Sequence, residues 1–260
     1  MRHQVTCSAL GMLLVAGCAH GTPGPLLTPQ TDARRWPPPP AQARVRFLGT
    51  ITSARDLEAP TNLWQRIVGS APAGKLVTPT GVALDDDGVL YVLDADAAAV
   101  HRFDLDRRRH SIIGSGLLEL PAAICWGDGR LFVADLGAGV VQAWSPSRGW
   151  HRFDRGGLQR PAGLVYVRQN RRLYVSDLGA AAIRVYDADG QLEETWTAPQ
   201  VKLGSPTHLA YHPEVGLLVA DSLGGRLVRL DLDGRPRGVI GSPGDGPGDL
   251  ALPKGVAIDR

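Results

Sequence analysis

The sequence predicts an all-β fold assembled from a repeated four-stranded unit. Three observations carry that reading. Proline-led segments recur as Thr78–Leu84 (TPTGVAL), Leu120–Trp126 (LPAAICW), Arg160–Tyr166 (RPAGLVY) and Ser205–Tyr211 (SPTHLAY), and a fifth, LPKGVAID, begins at Leu252. Their prolines stand at 79, 121, 161, 206 and 253, in steps of 42, 40, 45 and 47 residues. Each of the first four repeats continues through a turn into a short β-branched or aromatic run that ends in aspartate. Glycine and proline number 32 and 20 of 260 residues, too many turn formers for a protein of long helices.

Within a repeat the elements follow in a fixed order. The proline-led segment is the first strand. The second ends at Asp94 (LYVLD), Asp135 (LFVAD), Asp177 (LYVSD) and Asp221 (LLVAD). Six residues beyond each aspartate the third begins, at Val100, Val141, Ile183 and Leu227. A fourth, weaker strand is expected at Arg109–Gly114, His151–Asp154, Glu193–Thr197 and Arg237–Ile240. Three or four short strands per ~43 residues, joined by Gly/Asp turns, describe a propeller blade. Helical repeats of similar length would space apolar residues by three and four. Before the first repeat, Arg44–Ser53 (RVRFLGTITS) reads as an extra strand, and Arg66–Ser70 (RIVGS) holds the place of a preceding blade's last strand.

The repeats resemble the NHL repeat: Pro-x-Gly-hydrophobic-Ala, then hydrophobic-Tyr-Val-x-Asp, then hydrophobic-x-Val-Phe/Tyr-Asp. The glycine-rich run Gly241–Pro253 is similar to that family's inter-blade connection. The resemblance covers residues 78–259 and implies a six-bladed NHL-type β-propeller, of which four full repeats and the start of a fifth are present. A ring of that size is expected to need about 75–80 further residues at this period, so the chain is read as C-terminally truncated.

The N-terminus reads as an address. Arg2 and His3 precede an apolar stretch, Ala9–Ala16, that ends Val15-Ala16-Gly17-Cys18. This resembles the bacterial lipobox, which implies a signal peptide over 1–17, cleavage before Cys18 and acylation there. Several acyl chains on one residue anchor stably where one would not. Residues 18–43, with prolines at 23, 25, 29 and 37–40, are expected to form an extended tether, and 44–260 the propeller. Ala19 beside the cysteine favours the outer membrane of a Gram-negative cell envelope.

Composition excludes several classes. The formal net charge is +2, with 28 basic and 26 acidic residues interleaved, so no nucleic-acid surface is expected. Three cysteines, two of them in the first 20 residues, rule out a disulfide scaffold, and no CxxC motif marks a zinc knuckle. No apolar run reaches the ~18 residues of a membrane helix.

Few residues remain for chemistry. Asp94, Asp135, Asp177 and Asp221 recur where a strand turns back, which suits hydrogen bonds from turn amides; the alternative is a carboxylate ring holding Ca²⁺. His208 stands where the other repeats carry Gly81, Ala123, Gly163 and Gly255. Relatives of this architecture include metal-dependent peptidyl-amidoglycolate lyases, gluconolactonase-like hydrolases and streptogramin-type lyases, which makes His208 a candidate channel ligand. Such sites need several ligands from different blades, and only one histidine holds such a position. Cys125 aligns with Ala83 and Ala210 and reads as a small buried residue, and Phe103, Trp144 and Tyr186 as inter-blade core. The expectation is therefore a lipid-anchored scaffold for an envelope protein or small ligand, without cofactor; the alternative is a metal-dependent hydrolase or lyase. Replacing Cys18→Ser should shift the full-length chain from the membrane to the soluble fraction on cell fractionation; retention at the membrane counts against the anchor.

Overall fold

A computed structural model of the chain describes residues 35–37, 40–42, 45–47, 49–57, 74–197 and 203–258. The segment expected as a signal peptide, Cys18, most of the segment expected as a tether and Arg66–Ser70 lie outside these residues. The chain divides into two compact units, Met1–Gly49 and Thr50–Arg260. In the first, β1 (Arg35–Trp36) pairs antiparallel with β2 (Val45–Arg46). The Arg35–Trp36 strand falls within the segment expected as a tether. One expectation is corrected: Arg44–Ser53 is not a single strand, and among its described residues β2 is followed by an isolated bridge from Ser53 to Lys75. A 3-10 turn at Ala54–Leu57 follows, begun by the Asp56 carboxylate accepting from the Thr52 and Ser53 amides at 2.6 and 2.9 Å.

Among the described residues, the second unit holds four antiparallel four-stranded sheets. The first is β3 (Pro79–Leu84), β4 (Leu90–Asp94), β5 (Ala99–Asp104) and β6 (Arg109–Ile113). The second is β7 (Pro121–Gly127), β8 (Arg130–Asp135), β9 (Val140–Ser145) and β10 (Gly149–Arg152). The third is β11 (Pro161–Val167), β12 (Arg172–Asp177), β13 (Ala182–Tyr186) and β14 (Leu192–Trp196). The fourth is β15 (Pro206–His212), β16 (Gly216–Asp221), β17 (Arg226–Leu230) and β18 (Pro236–Ile240). Each opens on its recurring proline, which lacks the N–H a strand interior must donate and so suits a strand's first residue. All four show the same register shift, two residues wide, just after that proline.

The first strands β3, β7, β11 and β15 neighbour one another in that order, which makes them the inner strands and the fourth strands the rim. Three apolar cores lie between successive sheets. The rule of packing is visible in one repeat position. Ile124, Leu164 and Leu209 occupy equivalent places on β7, β11 and β15, and they are 8%, 4% and 4% exposed because each inserts into the preceding sheet. Two residues further on, Trp126 stacks on Tyr91 at 5.5 Å and Tyr166 on Phe132 at 5.6 Å. Close approach there requires glycine: a Cβ on Gly127 would lie 2.2 Å from the Tyr166 ring.

The equivalent residues of β3, Val82 and Leu84, are 68% and 60% exposed. The fifth repeat also differs from expectation, since Leu252–Ile258 forms no strand. No described second strand lies beside it to complete a ladder. It touches the fourth sheet through the Pro253 carbonyl, which accepts from the hydroxyls of Ser222 and, at 3.5 Å, Thr207. Among the described residues no helix is long and apolar enough to cross a membrane. Chemical denaturation should separate equivalent positions: Leu164→Ala costs about 2–5 kcal/mol, whereas Val82→Ala stays within about 0.5 kcal/mol.

Candidate functional site

The four recurring aspartates are fully buried. Each carboxylate reaches from the end of the second strand to the two amides just before its own sheet's proline. Asp94 accepts from Val77 and Thr78 at 2.6 and 2.9 Å, and Asp135 from Glu119 and Leu120 at 2.8 and 2.9 Å. Asp177 accepts from Gln159 and Arg160 at 3.1 and 2.9 Å, and Asp221 from Gly204 and Ser205 at 3.0 and 2.7 Å. Amides of the following turn add to this at Asp94, Asp135 and Asp177. Arg184 and Arg226 bring guanidinium Nε atoms within 3.4 and 3.3 Å of Asp177 and Asp221. Burial alone would raise the Asp94 carboxyl, but the Val77, Thr78 and Ala97 amides hold it below its ordinary value. The arrangement gives each carboxylate donors from its own blade.

His208 sits on β15, half-buried, opposite Ala220. Burial holds its imidazole below the ordinary value. The inner strands crowd here: a Cβ on Gly163 would lie 2.4 Å from the Thr207 carbonyl and 2.9 Å from the His208 Cα. Among the described residues, no three His, Cys, Asp or Glu side chains group as metal ligands. Cys125 packs against the core between the second and third sheets, and burial pushes its thiol up to about 12. Phe103 and Tyr186 are fully buried, and Trp144 packs partly buried on the core between the first two sheets.

Two further constellations were not singled out from the sequence. In the first sheet, His101 is 1% exposed. Its Nδ1 lies 3.0 Å from His110 Nε2, and its Nε2 lies 3.8 Å from Asp94. The pairing is a property of β5–β6 register, which places Phe103 opposite His110 and leaves the two rings one diagonal apart. At the rim, Arg130, Arg148, His151, Arg152 and Arg155 line a cavity of about 270 Å³ between β10 and the β13–β14 turn. The sequence signal was present, three arginines and a histidine within Arg148–Arg155, but Arg130 and the wall from the next sheet join only through the fold.

No protein-family model matches the chain, and no curated protein matches it. Among solved structures, a streptogramin B lyase superposes with a TM-score of 0.54 at 16% identity, over 61% of this chain and 53% of that one. A catalytically inactive histidine-to-alanine variant of virginiamycin B lyase from Staphylococcus aureus, with quinupristin, gives 0.54 at 11% identity, over 63% and 55%. A nidogen/laminin complex gives 0.59 at 20% identity, over 72% and 73%. The chain thus spans about half the length of the lyases. At these identities the likeness is one of fold, and it places the chain among the β-propellers.

The histidine pair makes stability pH-dependent. Burial, and for His110 also the neighbouring His101, holds both imidazoles below the ordinary value of 6.5, so the unfolded chain takes up these protons at a higher pH than the folded one. Stability therefore falls as pH drops through about 6.5. Thermal melts should show a midpoint that declines on acidification through this window, and His101→Gln/His110→Gln should make the decline shallower, with His151 and His208 retaining part of it. An unchanged slope would show that the pair does not stay neutral in the fold.

Proposed function

We propose that this protein is a lipoprotein of the bacterial cell envelope, held through Cys18, most naturally at the outer membrane. Its NHL-type propeller serves as a non-enzymatic scaffold for an envelope protein or a small ligand. The observation that carries this reading is the occupation of the recurring carboxylates: all four are committed to backbone amides at the start of their own sheets. The motif residues thus serve the frame, and the side chains that vary between repeats supply the recognition surface. A scaffold role also accords with the nidogen/laminin structure, in which a propeller of similar fold belongs to a protein–protein complex.

A second reading, a metal-dependent hydrolase or lyase in the propeller channel, is favoured by His208, which breaks a series of small residues at the start of the inner strands. It gains support from the lyase neighbours, one of which loses activity on a histidine-to-alanine change. Elemental analysis of the purified full-length chain, with quinupristin as a trial substrate, separates the two. The scaffold reading expects no stoichiometric metal, no turnover and no effect of a chelator on the melting midpoint. Bound metal that His208→Ala removes, or turnover that it abolishes, would replace it with the enzymatic one.

A further inference from the structure

The rim cavity between the second and third sheets has an unbalanced charge. Four arginines line it against two carboxylates, Asp154 and Asp189. Asp154 is 2% exposed and already engaged, accepting from the Val141 amide at 2.7 Å, the Gly156 amide at 3.0 Å and Arg152 Nη2 at 2.8 Å. That pairing uses the charge of Arg152. Arg130, Arg148 and Arg155 then share the cavity with Asp189, whose side of the wall is solvent-exposed.

Two of these guanidinium groups are held in place. Arg130 lies over the Phe132 and Phe153 rings, 5.3 and 5.6 Å from their centroids, and its Nη1 donates to the Ala188 carbonyl at 3.0 Å. Its contact with Asp128 is loose, 3.4 Å, and Asp128 pairs more closely with Arg171 at 3.0 Å. Arg155 donates from Nε and Nη1 to the Gln191 amide oxygen at 3.2 and 2.7 Å once that amide is oriented to satisfy both groups. Its backbone amide is fixed on the Gly190 carbonyl at 3.1 Å. Gly190 seals the seam, since with φ +80° a Cβ there would lie 1.9 Å from the Phe153 carbonyl. The field inside is positive: after burial and an opposing contact with the Gly149 carbonyl, the charges of Arg148 and Arg130 contribute to holding the His151 imidazole below its ordinary value.

We propose that this cavity binds a small phosphate-type oxyanion, as a free phosphate or phosphomonoester or as the headgroup of an anionic phospholipid. Planar guanidinium forks make parallel charge-assisted bonds to such oxygens. Groups already ordered by ring stacking and by carbonyl and amide contacts lose little entropy when the anion enters. The concave shape, closed by two sheets, suits one compact anion rather than a polymer backbone. The inference goes beyond the scaffold reading and is independent of the N-terminal anchor.

The test is calorimetric titration of the full chain with inorganic phosphate at low ionic strength, with chloride at matched ionic strength as the control. Saturable one-to-one binding is expected, weakened about tenfold or more in Arg148→Gln/Arg155→Gln, since charge-assisted hydrogen bonds to the anion are lost. Both side chains are exposed, and an unchanged melting midpoint of the variant confirms that the fold is intact. Co-sedimentation with phosphatidic acid vesicles, compared between wild type and the double variant so that any N-terminal contribution cancels, distinguishes the sources. A loss in the variant identifies a lipid headgroup, and equal co-sedimentation together with weakened phosphate binding identifies a soluble ligand. Phosphate binding no better than chloride, or equal in both proteins, overturns the proposal.

Discussion

Every sheet of the second unit hangs on one buried carboxylate. The two residues before the proline that opens each sheet carry amides that have no ladder partner, and the proline itself donates nothing. The aspartate at the end of the second strand takes both amides. Removing a carboxylate from water costs several kcal/mol, so the group is stable there only because two or more donors meet it. In return it ties the start of the inner strand to the next strand. A neighbouring backbone bond repeats the tie, from Ala95 to Thr78, Leu136 to Leu120, Leu178 to Arg160 and Ser222 to Ser205, at 2.9–3.0 Å.

Once the inner strands are placed, packing between sheets follows from side-chain size. Ile124, Leu164 and Leu209 each enter the sheet before their own, and the aromatic pairs Tyr91–Trp126 and Phe132–Tyr166 repeat the contact two residues further along the inner strands. Gly127 and Gly163 are the counterpart, positions where a methyl group would meet a ring or a carbonyl of the next sheet. The exposure of Val82 and Leu84 has the same origin. Their side chains point where a preceding sheet would receive them, and no described sheet stands there.

Frame and candidate site are spatially distinct. The aspartate ties cluster beside the inner strands, whereas the arginine cavity lies at the rim, where β10 meets the β13–β14 turn. The rim strands carry fewer packing obligations, which leaves arginine and histidine side chains available there. Gly190 closes the cavity wall, where the Phe153 carbonyl and the β13–β14 turn come together.

The sequence by itself determined the repeat. Proline, alternating apolar residues and a terminal aspartate are local signals, and they placed the strands of all four sheets to within a few residues. They also placed the aspartates at turns, because a carboxylate beside free amides has a local chemical use. The sequence did not determine the ladder at Arg35–Trp36 and Val45–Arg46 or the loss of strand structure in Leu252–Ile258, since both depend on whether a partner strand lies alongside. Nor did it bring His110 to His101, or Arg130 to the Ala188 carbonyl across the seam. Those meetings depend on strand register and on how one sheet leans upon the next, and such long-range geometry is decided only when buried apolar surfaces choose their partners.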